Sequence, residues 1–489
     1  MSPDESTPNR ARTKIVATVG PASQSPDVLR ALVVAGVDVF RVNMAHGDRQ
    51  QHQETVAAIQ SISAETERPV GILVDLAGPK IRLGTITPDP TVCLQDAAFR
   101  FVKEPRGPNE LTSTYDRLID ELELHDRVLL ADGTVEMIVT QKDGHSATCR
   151  VTSPGEIRSR QGINLPGVKL TVPTISETDR DNAEWAAASG IDFIGLSFVR
   201  KAEDILELKE IIRRSNSHAM AIAKIEKPEA LASLDDIVAA ADGIMVARGD
   251  LGVEIDVAKM PVEQKRIIQL CRQLRKPVIV ATQMLDSMQR ASRPTRAEVT
   301  DVANAILDGT DACMLSGETA IGKFPVESVC MMNRIMCSTE NSLQSTGHRL
   351  PLGIHAHNQQ RREPDRPRVD RITSAVVRGA GTIAEDLDAK IVVIATRSGA
   401  TALAKSSSRD FIPTIAVSDR PTTLRQMTLL WGIEPLARSP HDLDQAVIPF
   451  VVDWGRQRGI LQPSDRVVFV AGTHVRAGAH NQLIVHEVE

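Results

Sequence analysis

Aromatic side chains are scarce, with one tyrosine, three tryptophans and nine phenylalanines in 489 residues. Single-stranded nucleic acids are held by stacking on rings along a basic groove. Neither requirement is met here, because the formal net charge is -6 and no long run of one sign occurs. Cysteine is sparse too. Cys93, Cys149, Cys271, Cys313, Cys330 and Cys337 include no C-x-x-C pair, and several fall within apolar helix or strand patterns, so they read as reduced packing thiols. No segment approaches the roughly 18 uninterrupted apolar residues of a membrane span. The N-terminal MSPDESTPNRARTK has no apolar stretch of the kind an export signal carries. These absences predict a cytoplasmic globular chain with a disordered tail over residues 1–12, and neither nucleic acid nor membrane as a partner. A G-x-x-x-x-G-K-[ST] loop is also missing, so a nucleotide would have to be held by other means.

What the chain does have is a recurring short apolar run followed by a helix-period segment. Eight runs precede residue 320: TKIVATV (13–19), VDVFRVNMA (37–45), VGILVDL (70–76), DFIGLSF (192–198), AMAIAKIE (219–226), DGIMVAR (242–248), PVIVATQ (277–283) and DACMLSGE (311–318). Thr295 and Glu298 form a capping box opening one intervening helix. Eight β-α units predict an α/β protein built on a (β/α)8 TIM barrel, in two parts, residues 13–83 and 169–344. About 115 residues separate the third run from the fourth, too many for one βα unit. Within them, residues 84–168 carry strand-like pieces and the turns ADGT and KDGH, predicting an inserted small β-barrel lid over the barrel mouth. Residues 345–368, rich in Pro, His, Arg and Gln, predict a linker. His355 and His357 lie there without a cysteine or acidic cluster and read as solvated. From 369 to 489, helical segments alternate with KIVVIAT, PTIAVS, DRVVFVAG and QLIVHEV, predicting a C-terminal doubly wound α/β domain with a parallel sheet.

Active sites of such barrels form at the C-terminal ends of the strands. Those ends carry Arg41, Asn43 and His46; Asp75; Ser197; Lys224 and Glu226; Arg248 and Asp250; Thr282; and Ser316 and Glu318. Residues two apart in a strand share a face, so Lys224 should point with Glu226, and Arg248 with Asp250 if the extended backbone continues through Gly249. Glu226 and Asp250, with no His or Cys beside them, suit a hard divalent cation such as Mg2+, and Mn2+ takes the same donors. Arg41, Arg82 and Lys224 around that ion would suit a phosphorylated, strongly anionic substrate.

The segments TKIVATVGPAS, RVNMAHG, GEIRSRQGINLPG, AKIEKPEA, DGIMVARGDLGVE, ATQMLDSM, RPTRAEVTDVANAILDGTDACMLSGETA and TRSGAT, in this order, resemble the pyruvate kinase family over nearly the whole chain. The resemblance implies transfer of a phosphoryl group from phosphoenolpyruvate to ADP, giving pyruvate and ATP in glycolysis. It makes Glu226 and Asp250 the metal ligands, and Lys224 the cation beside the transferring group and the enolate. Arg41 would grip the phosphoryl group, with Ser197 on the substrate side. The amides of Gly249 and Asp250, with Thr282, would hold the substrate carboxylate, and Thr282, Ser316 and Glu318 would line the proton path to the enolate carbon. Pro21, Asn43, His46, Arg82 and the lid residue Asp132 match nucleotide positions. Thr396, Ser398, Gly399 and Thr401 resemble the phosphate loop of an allosteric effector site, and the family's habit implies a homotetramer. Two other readings stay open at this point: a magnesium-enolate lyase or aldolase on the same barrel, and a catalytically weak paralogue that binds phosphorylated metabolites.

The chain departs from the family at Thr178 and Ile321, where lysines are expected, and at Gln51, where many members carry tyrosine. All three lie on the nucleotide side, and Arg180 is the cation on hand to compensate. Near Asn43 and Asp75, a potassium-binding serine is replaced by Ala45, and a glutamate by Lys80 in GPK. Members with this lysine are independent of monovalent cations, so Lys80 is expected to stand in for potassium.

Overall fold

The computed structural model describes residues 10–168, 170–345, 368–437, 439, 446–472 and 482–489. Most of the expected tail, nearly all of the linker with His355 and His357, and all but the first residues of AGTHVRAGAHN lie outside the described residues.

The eight apolar runs become eight strands: β1 (Lys14–Thr18), β2 (Val39–Asn43), β3 (Gly71–Asp75), β4 (Phe193–Leu196), β5 (Met220–Ile225), β6 (Gly243–Ala247), β7 (Val278–Ala281) and β8 (Ala312–Leu315). They are parallel, and β1 pairs with both β2 and β8, which closes the barrel. The strands are buried on both faces, which is why they read as continuous apolar runs. Val16, Val39, Leu73, Phe193, Ile222, Met245, Ile279 and Met314 form one cluster with Leu429, a C-terminal-domain residue. The Thr295–Glu298 capping box is present at the start of helix Arg296–Asp308.

Each even-numbered strand is entered through an aspartate whose carboxylate accepts an N–H from the start of the preceding strand. Asp38 takes Ile15, Asp192 takes Ile72, Asp242 takes Ala221 and Asp311 takes Val278, at 2.9 to 3.0 Å. These carboxylates ring the N-terminal end of the barrel, the face that serves stability in this fold.

Between β3 and β4 the chain builds a six-stranded sheet running from Ile163–Asn164 through Arg127–Leu130, Val135–Asp143, Ser146–Ser153 and Ala98–Val102 to Glu110–Leu111. A separate pair joins Gly155–Ile157 to Thr91–Cys93. Both enclose one core that includes Phe99, Phe101, Val128, Leu130, Cys149 and Ile157, without a continuous ring of strand pairing among the described residues.

The C-terminal domain contains β9 (Ile391–Ala395), β10 (Thr414–Val417), β11 (Ile433–Pro435), β12 (Arg466–Ala471) and β13 (Gln482–Glu487), in the order β11-β10-β9-β12-β13. Apolar clusters cover both faces, as doubly wound topology requires. The wholly parallel sheet expected from sequence is corrected at one edge, where β13 runs antiparallel to β12. The connection of about ten residues is too short for the crossover that a parallel strand needs. No helix among the described residues is long and apolar enough to cross a membrane.

Candidate active site

At the C-terminal rim, Lys224 on β5 is the hub. Its ammonium lies 2.9 Å from Glu226 Oε1, 3.2 Å from Asp75 Oδ1 and 2.6 Å from Ser197 Oγ. Ser197 in turn donates to Leu76 O at 2.7 Å. Arg41 on β2 holds the other side of Asp75, with Nη2 and Nε 2.6 and 2.7 Å from Oδ2, and Nη1 donates to Thr18 Oγ1 at 3.2 Å. Burial pushes the Asp75 carboxyl up, but Lys224 and Arg41 outweigh it and hold the group below its ordinary range. Burial likewise lowers Lys224, and Asp75 with Glu226 reverses this, so the ammonium is held protonated. The result is a buried positive group whose charge is balanced and whose position is fixed before any ligand arrives.

Glu226 shows the opposite balance. Burial raises its carboxyl, Lys224 pulls it back, and the neighbouring Asp250 charge raises it again. Its Oε2 accepts the N–H of Phe198 at 2.8 Å. A carboxylate whose ionisation is opposed by a neighbouring carboxylate fits a divalent cation, which would relieve that repulsion. No cluster of three or more His, Cys, Asp or Glu occurs among the described residues, leaving a two-carboxylate site whose remaining positions water and substrate oxygens would fill.

The expected pairing of Arg248 with Asp250 is corrected. Strand β6 ends at Ala247 and helix Arg248–Glu254 starts at once, so the two residues no longer share a strand face. Arg248 instead binds Asp301 at 2.7 and 2.8 Å and Thr282 O at 2.7 Å.

Gly249 N donates to Thr282 Oγ1 at 2.7 Å, joining the ends of β6 and β7. Thr282 has φ +68°, a left-handed conformation that is costly for a β-branched residue and is commonly held at functional sites. Beyond β8, Glu318 accepts N–H groups from Ser316 at 2.8 Å and Leu285 at 3.0 Å. Burial nonetheless pushes its carboxyl up. Ser316 Oγ is buried without a hydrogen-bond partner among the described residues.

The other expected residues are arranged less tightly. Pro21 is exposed in the turn after β1, beside the segment ending at Ile321: an added Cβ at Gly20 would stand 2.5 Å from Ala320 O. Ile321 itself is 66% exposed. Asn43 and Asp75 are register partners on β2 and β3. His46 is exposed, and its carbonyl lies 2.8 Å from His52 Nε2. Gln51 caps its own helix by accepting the Asp48 N–H at 3.1 Å. Asp132 is exposed on a lid turn whose next residue, Gly133, faces Val253 of the Asp250 helix. Arg82 bridges to Gly162 and donates to Arg160 O at 3.2 Å, so it belongs to the lid root and not to the Lys224 cluster. Arg180, the cation on hand near the lysine absent at Thr178, forms an exposed ion pair with Glu207. Lys80 is exposed, with Cε 3.0 Å from where a Cβ of Gly162 would stand, and the ion pairs of Asp75 are made by Arg41 and Lys224. In the C-terminal domain, Gly399 has φ +79° and donates to Thr396 Oγ1 at 3.1 Å, Ser398 is exposed, and Thr401 is buried at the start of helix Ala400–Ser408.

Sequence reasoning missed Thr18 as an Arg41 partner, although its place as the last residue of β1 was a usable signal. It also missed the Lys224–Asp75 contact, which spans from β5 to β3 across β4 and has no local signature.

Residues 10–329 match the family model described as "Pyruvate kinase, barrel domain", and residues 374–486 match "Pyruvate kinase, alpha/beta domain". The chain is 40% identical over 492 residues to pyruvate kinase 2 of Synechocystis sp., covering 99% of this chain and 80% of that one. It is 40% identical over 487 residues to the pyruvate kinase of Geobacillus stearothermophilus, covering 98% and 81%. The crystal structure of a pyruvate kinase from Cryptosporidium parvum superposes with a TM-score of 0.87 at 32% identity, over 98% of this chain and 96% of that one.

Proposed function

Because the chain belongs to the pyruvate kinase family, it transfers the phosphoryl group of phosphoenolpyruvate to ADP, giving pyruvate and ATP, and we propose how its rim residues divide that work. The lyase, aldolase and weak-paralogue readings find no support among relatives that match along nearly the whole chain. The observation that carries the division of roles is the Lys224 ammonium, buried and 2.9 Å from Glu226 at the end of its own strand and 3.2 Å from Asp75 at the end of β3, across β4.

Lys224 stabilises negative charge as the phosphoryl group leaves and the enolate forms, and Arg41 grips the phosphoryl oxygens while Asp75 fixes both cations. Ser197 holds Lys224 on the substrate side. The amides of Gly249 and Asp250, with Thr282, bind the substrate carboxylate at the helix start after β6, the Gly249 N–H turning to it from Thr282 Oγ1. Thr282, Ser316 and Glu318 hand a proton to the enolate carbon, and the unpartnered Ser316 hydroxyl with the raised Glu318 carboxyl supports that role. Glu226 and Asp250 would hold Mg2+, or Mn2+ in its place, and its chemistry there would be Lewis-acid neutralisation of substrate oxygens.

Pro21, Asn43, His46, Arg82 and Asp132 face the nucleotide, with the lid excluding water from the transfer. Without lysines at Thr178 and Ile321, and with Gln51 in place of an aromatic ring, nucleotide contacts are thinner than the family pattern implies. Lys80 stands in for potassium, an assignment supported by Ala45 in place of a hydroxyl ligand, and to do so its exposed side chain swings from the lid root at Gly162 toward Asn43 and Asp75. Thr396, Ser398, Gly399 and Thr401 form an anion loop for a phosphorylated effector. The enzyme acts in the cytoplasm as a homotetramer.

The test is an assay of purified protein with phosphoenolpyruvate, Mg2+ and a panel of nucleoside diphosphates, reading pyruvate through a coupled dehydrogenase. Turnover with ADP is expected. Failure with every diphosphate, while phosphoenolpyruvate still binds, would refute the assignment.

A further inference from the structure

The C-terminal domain is seated on the N-terminal end of the barrel, opposite the catalytic rim. Two of the four base aspartates are its anchors. Arg425 Nε lies 2.8 Å from Asp192 Oδ1 at the base of β4, and Arg409 Nη2 lies 2.8 Å from Asp311 Oδ1 at the base of β8. In the closed strand order, β4 and β8 stand across the barrel from one another, and Leu429 joins the interior cluster between them.

The Arg425 anchor reaches further than a docking contact requires. Asp192 is fully buried and uses its second oxygen to accept the Ile72 N–H at 3.0 Å, so Arg425 and the base of β3 share one carboxylate. Helix Pro421–Met427, which carries Arg425, also presses directly on β3. A Cβ at Gly71 would stand 2.8 Å from Thr428 Oγ1 and 3.2 Å from Arg425 O. The next residue, Gln426, donates to His218 O at 2.7 Å, just before β5. One short helix therefore bears on the bases of β3, β4 and β5. The upper ends of the same three strands deliver Asp75, Ser197, and the Lys224 and Glu226 pair. Strands β3 and β4 are buried throughout and β5 from its second residue, and a close-packed interior passes a shift along a strand instead of absorbing it. At its other side the helix supports the C-terminal-domain loop, with Thr423 Oγ1 donating to Arg397 O at 2.9 Å.

We propose that Arg425 is a positioning residue for phosphoryl transfer: through Asp192 it fixes the height of β3 and β4, and so the placement of Asp75 and Ser197 around Lys224. The C-terminal domain thereby sets the catalytic geometry from the far end of the barrel. This inference rests on the assignment of Lys224 and Asp75 to the phosphoryl site.

The test uses the full chain and the variants Arg425→Met and Arg425→Lys, with kcat, KM for each substrate and thermal unfolding measured together. Arg425→Met should lower kcat by about tenfold or more well below its melting temperature, with KM for ADP within about twofold of wild type. Arg425→Lys should recover part of that loss by restoring a cation to Asp192. A lowered melting temperature with turnover intact, or a loss shared equally by kcat and both KM values, overturns the proposal. If Arg425→Met does not fold, Arg425→Gln carries the test, because it keeps a hydrogen-bond donor at this site while removing the charge; a kcat drop of about threefold or more is then expected, and no drop refutes. The two levels of argument fail differently. A wild-type enzyme that does not turn over phosphoenolpyruvate removes the site assignment, whereas an active wild type matched by Arg425→Met removes only the positioning role.

Discussion

The Lys224 ammonium stands 3.2 Å from the Asp75 carboxylate, which Arg41 grips from the other side at 2.6 Å. One buried anion thus orients two cations toward the same space above the barrel. Replacing Lys224 by methionine keeps the stem, removes the charge, and leaves Arg41 to neutralise Asp75. Phosphoryl transfer should fall by far more than tenfold, with the fold retained by circular dichroism. A residual rate above about a tenth of wild type, equivalent to less than ~1.4 kcal/mol of barrier, would exclude Lys224 from that role.

Glu226→Gln tests the metal site. An amide is a poorer ligand for a hard cation than a carboxylate. The variant should need a markedly higher Mg2+ concentration for half-maximal rate, and direct Mn2+ binding followed by electron paramagnetic resonance should weaken in parallel. An unchanged titration in both measurements would remove Glu226 from the ligand set.

Potassium dependence tests Lys80. Near-full activity is expected in buffers whose only monovalent cation is tetramethylammonium. Lys80→Glu should lose most activity and regain only part of it with potassium, because Ala45 brings no oxygen from its side chain. Stimulation of the wild type by about tenfold or more at saturating substrates would contradict the assignment.

Stability should carry a pH signature from Asp192. Burial pushes this carboxyl up to about 7 from 3.8, against the pull of Arg425 and the Ile72 N–H. A carboxyl raised on folding costs stability when it ionises, so its contribution is most favourable below about 4 and declines as pH rises to about 7. Asp192→Asn should flatten that part of the curve of melting temperature against pH. A variant whose curve keeps the wild-type slope between pH 4 and 7 would show that Asp192 is not its source.

The sequence by itself determined the element pattern. Eight apolar runs, each bounded by capping or turn residues, were legible as parallel strands, because burial on both faces is written locally in consecutive apolar side chains. The rim inventory was legible for a related reason: the last residues of known strands must lie at one end of a barrel, so Arg41, Asp75, Lys224, Glu226 and Thr282 could be named before any coordinate. What those residues do to one another was not. Arg248 and Asp250 parted because a helix began one residue after β6, a boundary that sequence places only to within a few residues. Arg180 pairs with Glu207 at the surface, and Lys80 lies against the lid root at Gly162, since a long charged side chain is directed by whichever neighbour the fold supplies. The Arg425–Asp192 contact joins residues 233 positions apart. Periodicity is a property of a few adjacent residues, whereas ion pairing depends on distances that exist only once the two domains have packed, and that is why the tertiary structure alone decided which charges meet.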